Sequence, residues 1–137
     1  KFKELGVEVV GVSIDSQFSH YAWRETPVEK GGIGRVGFPL VADVKHEITK
    51  AYGIEHPAGV ALRGSFLIDK AGIVQAQIVN NLPLGREVDE MIRLVEALQF
   101  TEQHGEVCPA GWKKGQKGMK PTAEGVAAYL AENSAAL

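Results

Sequence analysis

Residues 7–15 read VEVVGVSID. β-branched side chains dominate, and apolar residues fill the run almost throughout instead of alternating. A strand with one wet face alternates, so this run belongs to a strand covered on both faces, with other layers above and below it. The flanks agree. KFKELG (1–6) reads as the last turn of a helix stopped by Gly6, since glycine takes the left-handed cap conformation without a Cβ clash. Ser16 opens SQFSHYAWRETP as an N-cap and sets Phe18, Tyr21 and Trp23 on a short helix.

The alternation continues. VEKGGIGRVGFP is a glycine-rich loop, PLVAD (39–43) a short strand, and KHEITKAYG (45–53) a helix ended by Gly53. EHPAGVAL is loop. RGSFLID (63–69) and IVQAQIVN (73–80) are strands joined by the tight turn KAG, an antiparallel hairpin. REVDEMIRLVEALQF (86–100) is the clearest helix, with Val88, Met91, Ile92, Val95 and Leu98 at helical spacing. From Gly105 to Pro121 the periodicity stops, and glycine, proline and lysine form an irregular arm. Thr122 caps a closing helix over 122–133. Strands alternating with helices and ending in a hairpin plus helix predict an α/β fold, a three-layer sheet of mixed direction.

Composition narrows the function classes. A formal net charge of -2 gives no general attraction to nucleic acid or to anionic lipid. No apolar run approaches the roughly 18 residues of a membrane span. The opening residues look mid-domain and carry no secretory signal. The chain has a single cysteine, which cannot build an internal disulfide framework and favours a reducing compartment, the cytoplasm.

GIGRVG (32–37) matches a dinucleotide-binding fingerprint by spelling only. That fingerprint needs a strand before it and a helix after it, because the helix N-terminus binds the pyrophosphate. Here FPLVAD follows, and no helix starts. The four histidines, His20, His46, His56 and His104, lack ligand spacing and read as solvent-facing or capping groups. No cofactor and no metal is implied.

Cys108 sits in GEVCPAGW, among glycines and a proline. Most free cysteines are small inert core residues. This stretch is too rich in glycine and lysine for an interior, and Lys113 and Lys114, folded back, would stabilise a thiolate. An exposed thiol with no partner in its own chain bonds a thiol in another chain or piece. Arg63, at a strand mouth, is either a strand-end arginine meeting water or a fork for an anion or a peroxide oxygen. Arg86, in the first turn of the long helix, faces the positive end of the helix dipole and therefore calls for a tertiary partner, a carboxylate.

VGVSIDSQFSHYAWRETP, GGIG, FPLVAD, ALRGSFLID, NNLPLGREVDEMIRLVEALQF and HGEVCPAGWKKG together resemble the typical two-cysteine peroxiredoxins of the alkyl hydroperoxide reductase C type. The resemblance is in order and covers essentially the whole chain. It implies a thioredoxin-like fold, with residues 1–103 as a truncated peroxidase domain and 104–137 as a C-terminal arm and helix. It implies reduction of hydrogen peroxide and small organic hydroperoxides. Cys108 matches the resolving cysteine, which closes an intersubunit disulfide that a thioredoxin-like or flavoprotein disulfide reductant reopens. Arg63 matches the arginine that contacts the reactive thiolate and the peroxide, and Arg86 a second arginine of that network. Ser16, Phe18, Ser19 and Trp23 match the surface through which homodimers join into rings.

The family's P-x-x-x-[T/S]-x-x-C motif, which carries the peroxidatic cysteine, has no counterpart here. The family also places a strand between those matching Val7–Asp15 and Arg63–Asp69. The expectation is therefore a C-terminal part, inactive alone, whose two apolar strands face a gap or re-pair. The rival expectation is a non-catalytic assembly or holdase module. Where easily overoxidised members carry GGLG and a C-terminal Tyr-Phe, this chain has GGIG and Tyr129-Leu130, which predicts a looser cover over the arm.

Overall fold

The computed structural model describes residues 1–136. Six strands and four helices appear, in the order β1 (Gly11–Ser13), α1 (Gln17–Glu25), β2 (Leu40–Ala42), α2 (Glu47–Ala51), β3 (Glu55–His56), β4 (Val60–Ala61), β5 (Arg63–Ile68), β6 (Val74–Asn80), α3 (Val88–His104) and α4 (Ala123–Asn133). Single 3-10 turns cover Lys3–Leu5, Val28–Lys30 and Ser134–Ala136. Among the described residues the strands form three two-stranded sheets: β1 with β2, β3 with β4, and β5 with β6. β1 and β2 are parallel, with Gly11 opposite Leu40 and Ser13 opposite Ala42. β3 and β4 make a small antiparallel pair where the sequence predicts loop. Two-residue strands leave no periodicity to read.

The chain divides into two compact units. One comprises residues 1–65 and 77–86, the other residues 66–76 and those from 87 onward. In the first unit the most deeply buried side chains are polar: His20, Asp43 and Thr49. The Asp43 carboxylate accepts from the amides of Ile48 and Thr49 at 3.0 and 2.8 Å and from the Thr49 hydroxyl at 2.7 Å. Burial pulls this carboxyl upward, and the hydrogen bonds from Thr49 and Ile48 outweigh burial and leave it below the ordinary value. It thereby ties the start of α2 to the end of β2. In the second unit the buried residues are apolar: Leu67, Val95 and Trp112.

The strand expected over 7–15 is regular only at Gly11–Ser13. Val10 and Val12 stay 55% and 44% exposed. Among the described residues β1 has β2 as its single ladder partner. β1 and β5 share no ladder among the described residues, so the apolar strands have not re-paired. Gly11 carries no side chain for a local reason: a Cβ there would lie 2.7 Å from Leu40 Cδ2.

The caps at Ser16, Thr122 and Gly6 fall where the sequence puts them, whereas α2 is shorter than the expected 45–53 and has Tyr52 as its C-cap. Ser16 Oγ accepts from the Ser19 amide at 3.2 Å, and Thr122 Oγ1 from the Gly125 amide at 3.0 Å. Gly6 closes the opening turn at φ 71°. α3 begins later and ends later than expected. Glu87 is its N-cap, accepting from the Asp89 amide at 3.1 Å, and Gly105 at φ 65° ends it. Thr101 to His104 simply continue the helix until the first glycine that can take the left-handed cap.

Candidate functional site

Two arginines meet at one end of the hairpin, within the first unit. Arg63, the first residue of β5, donates from Nε to the carbonyl oxygen of Leu82 at 3.1 Å. Among the described residues its two terminal nitrogens carry no hydrogen bond, and the side chain is exposed. Arg86 donates from Nε and Nη2 to the carbonyl oxygen of Gly64, both at 3.3 Å. Each arginine thus fastens the segment carrying the other. Arg86 precedes the α3 cap rather than occupying the first helical turn, so the expected dipole conflict does not arise, and its partner is a backbone carbonyl rather than a carboxylate.

Cys108 belongs to the second unit, on the arm after α3, and is half-buried. Its thiol donates to the carbonyl oxygen of Ala97 at 3.6 Å and lies 3.9 Å from Thr101 Oγ1. Arg93, Ala97 and Thr101 are spaced four apart, so they share one face of α3, and this face is the seat of the sulfur. Arg93 forks onto Glu90, with Nε to Oε2 at 2.6 Å and Nη2 to Oε1 at 2.7 Å. Its remaining Nη1 donates to the carbonyl oxygen of Trp112 at 3.0 Å. The hydrogen bond to Glu90 holds the Arg93 guanidinium above its ordinary value against desolvation, with the charges of Glu90 and Cys108 adding to the effect. The same bond holds the Glu90 carboxyl below its ordinary value.

The arm is held by more than one contact. Trp112 is 2% exposed, and its indole N–H donates to the carbonyl of Gln116 at 3.1 Å. Its ring lies 4.9 Å from that of Phe100, which stands 4.6 Å from His104. Val107 and Met119 exchange both backbone hydrogen bonds at 2.9 Å, closing the arm into a loop. Lys114, expected beside the thiol, reaches Glu96 at 3.4 Å instead. The cation in electrostatic reach of Cys108 is Arg93, a residue the sequence does not single out. Its signal was the spacing of 93, 97 and 101 on the stripe beside the apolar one.

The proposed ring-forming residues lie on and just before α1. Phe18 is 77% exposed and Trp23 42%, with Tyr21 also exposed beside them. Ser16 and Ser19 are spent on the cap, their hydroxyls 3.3 Å apart. Trp23 Nε1 donates to the Gly31 carbonyl at 3.3 Å, which ties α1 to the GGIG loop. His20 departs from expectation by being buried. Its Nε2 lies 2.5 Å from Ser13 Oγ, which donates to Asp15 Oδ2 at 2.9 Å, so His20 pins α1 to β1. The described residues hold no group of three or more metal-ligating side chains, and none of their helices is long and apolar enough to cross a membrane.

The AhpC/TSA family model matches residues 1–77, and the model for the C-terminal domain of 1-Cys peroxiredoxin matches residues 97–132. Alkyl hydroperoxide reductase C of Helicobacter pylori is 59% identical over 133 residues, covering 97% of this chain and 67% of that protein. Peroxiredoxin-2 of Rattus norvegicus is 48% identical over 134 residues, covering 97% and 68%. The crystal structure of reduced 2-Cys peroxiredoxin from Plasmodium vivax superposes with a TM-score of 0.92 at 48% identity, covering 95% of this chain and 67% of that one. The chain thus spans about two thirds of the length of these relatives. The second match takes in the arm that carries Cys108, and the fold is the thioredoxin-like fold of peroxiredoxins. With a family model over more than half of its residues and this identity over nearly its whole length, the chain belongs to the AhpC/TSA family, among the peroxiredoxins of the alkyl hydroperoxide reductase C kind.

Proposed function

We propose that this chain supplies the resolving half of a thiol-dependent peroxidase acting on hydrogen peroxide and small organic hydroperoxides. A peroxidatic thiolate attacks the O–O bond. One oxygen passes to sulfur to give a sulfenic acid, and the other leaves as water or alcohol. The Cys108 thiol condenses with that sulfenic acid: an S–S bond forms, the S–O bond breaks, and water departs. A thioredoxin-like or flavoprotein-driven dithiol reopens the disulfide by exchange. The 137 residues hold one cysteine, so the peroxidatic thiol lies outside them, and this reading places it on a partner subunit.

The observation that carries this reading is the seat of Cys108. The sulfur is half-buried on α3 through two weak sulfur contacts, on a glycine-flanked arm, rather than locked in a core. Arg63 is the proposed peroxide and thiolate contact, since its terminal nitrogens are unspent, and Arg86 keeps β5 in place behind it. Exposed Phe18 and Trp23, framed by Ser16 and Ser19, are the proposed ring surface between homodimers. Residues 104–137 act as the arm and its covering helix.

The test is a peroxidase assay on the 137-residue chain, alone and joined to a segment that provides a peroxidatic cysteine. The chain alone gives no thiol-dependent turnover, and the joined protein turns over. Robust turnover by the chain alone would overturn Cys108 as a purely resolving thiol.

A further inference from the structure

The contacts that hold Cys108 itself are weak, at 3.6 and 3.9 Å to sulfur. The strong contact on this arm lies four residues further on, where Arg93 grips the Trp112 carbonyl. Arg93 is pre-set for that task. Its fork onto Glu90 fixes the plane of the guanidinium and leaves one N–H aimed at the arm. The Trp112 ring then packs on Phe100, and Gly118 closes over the same ring so tightly that a Cβ there would lie 2.6 Å from Phe100 Cε1. Cys108 sits four residues before this assembly, on the same arm.

We propose that Arg93, braced by Glu90 and gripping the Trp112 carbonyl, is a positioning residue that sets how often the Cys108 arm opens. The inference rests on the reading of Cys108 as the resolving thiol, since it assigns what governs the supply of that thiol to the sulfenic acid. The latch is fastened to a backbone carbonyl, which the packed Trp112 ring holds in place. Releasing it removes one charge-assisted hydrogen bond from the closed arm, an effect of about tenfold or more on the opening equilibrium.

Cys108 is the only cysteine in the chain, so alkylation by N-ethylmaleimide reports on it alone. Labelling of the wild-type chain under native conditions is expected to be slow relative to the urea-unfolded chain, and nearly independent of low urea concentrations, as local opening requires. Arg93→Met labels about tenfold faster with the same flat urea dependence. Arg93→Lys, which keeps the charge but loses the fork, falls between, and Glu90→Gln also labels faster. As a measure that needs no variant, hydrogen exchange of the Val107 and Met119 amides in the wild type reports the same opening free energy as the labelling. Equal labelling of Arg93→Met and wild type would overturn the proposal, as would a wild-type labelling rate that follows global unfolding in urea. No peroxide or second thiol enters the experiment, so its failure is separate from failure of the resolving role.

Discussion

Gly32 lies directly against Thr26: a Cβ at position 32 would fall inside the van der Waals radius of the Thr26 carbonyl oxygen and also crowd its Cβ. The amide of Gly32 donates to Pro27 at 3.1 Å, that of Ile33 to Trp23 at 3.1 Å, and that of Gly34 to Thr26 at 3.3 Å, so the GGIG loop folds back onto the end of α1. The spelling that imitates a nucleotide fingerprint is a loop-to-helix clasp. Gly32→Ala must move backbone rather than a flexible side chain, and is expected to lower the free energy of unfolding by about 1–3 kcal/mol. Urea denaturation of the variant, followed by tryptophan fluorescence, checks this.

Acid stability should carry the mark of Asp43. A carboxyl held below its unfolded value stabilises the fold above about pH 4, and that contribution is lost as pH falls through the folded value. Asp43→Asn is therefore expected to be less stable at neutral pH and to show a shallower loss of stability below about pH 4. Asp69 and Glu90, lowered in the same direction, leave a residual slope. Denaturant midpoints measured from pH 7 to pH 3 give both slopes.

Arg63 and Arg86 should separate in kinetics. In a protein that also provides the peroxidatic thiol, Arg63→Lys removes a fork whose terminal nitrogens carry no hydrogen bond among the described residues. It is expected to lower kcat/KM for peroxide by about 10–100-fold, the range of a charge-assisted hydrogen bond. Arg86→Lys, which loses two long bonds to one carbonyl, is expected to cost about tenfold or less. Steady-state peroxide titrations decide the order.

The exposed face of α1 predicts an assembly defect without a folding defect. Phe18, 77% exposed, contributes little to the monomer, so Phe18→Glu should leave the thermal midpoint of the isolated chain within about a degree or two of wild type. In the ring-forming protein the same change should leave dimers. Sedimentation velocity distinguishes dimers from rings.

Much of this was legible from residue order alone. Ser16, Thr122 and Gly6 mark element ends because capping is local chemistry, and Val95 of the expected apolar stripe is the buried centre of α3. What escaped was non-local. His20 reads as a surface histidine until Ser13 on the neighbouring strand meets it. Arg86 has a carbonyl partner twenty-two positions upstream, which no spacing rule reaches. The Cys108 motif was plain, whereas its seat required knowing that the arm folds back along Arg93, Ala97 and Thr101.

The central claim is that Cys108 closes a disulfide with a sulfenic acid on another subunit. The direct measurement is mass spectrometry of the assembled protein, with its peroxidatic thiol in place, after one equivalent of hydrogen peroxide and proteolysis without reductant. The account predicts a peptide containing Cys108 joined by a disulfide to the peroxidatic cysteine of a second subunit, absent in Cys108→Ser. A Cys108 peptide recovered fully reduced, while the other thiol is oxidised, would contradict it.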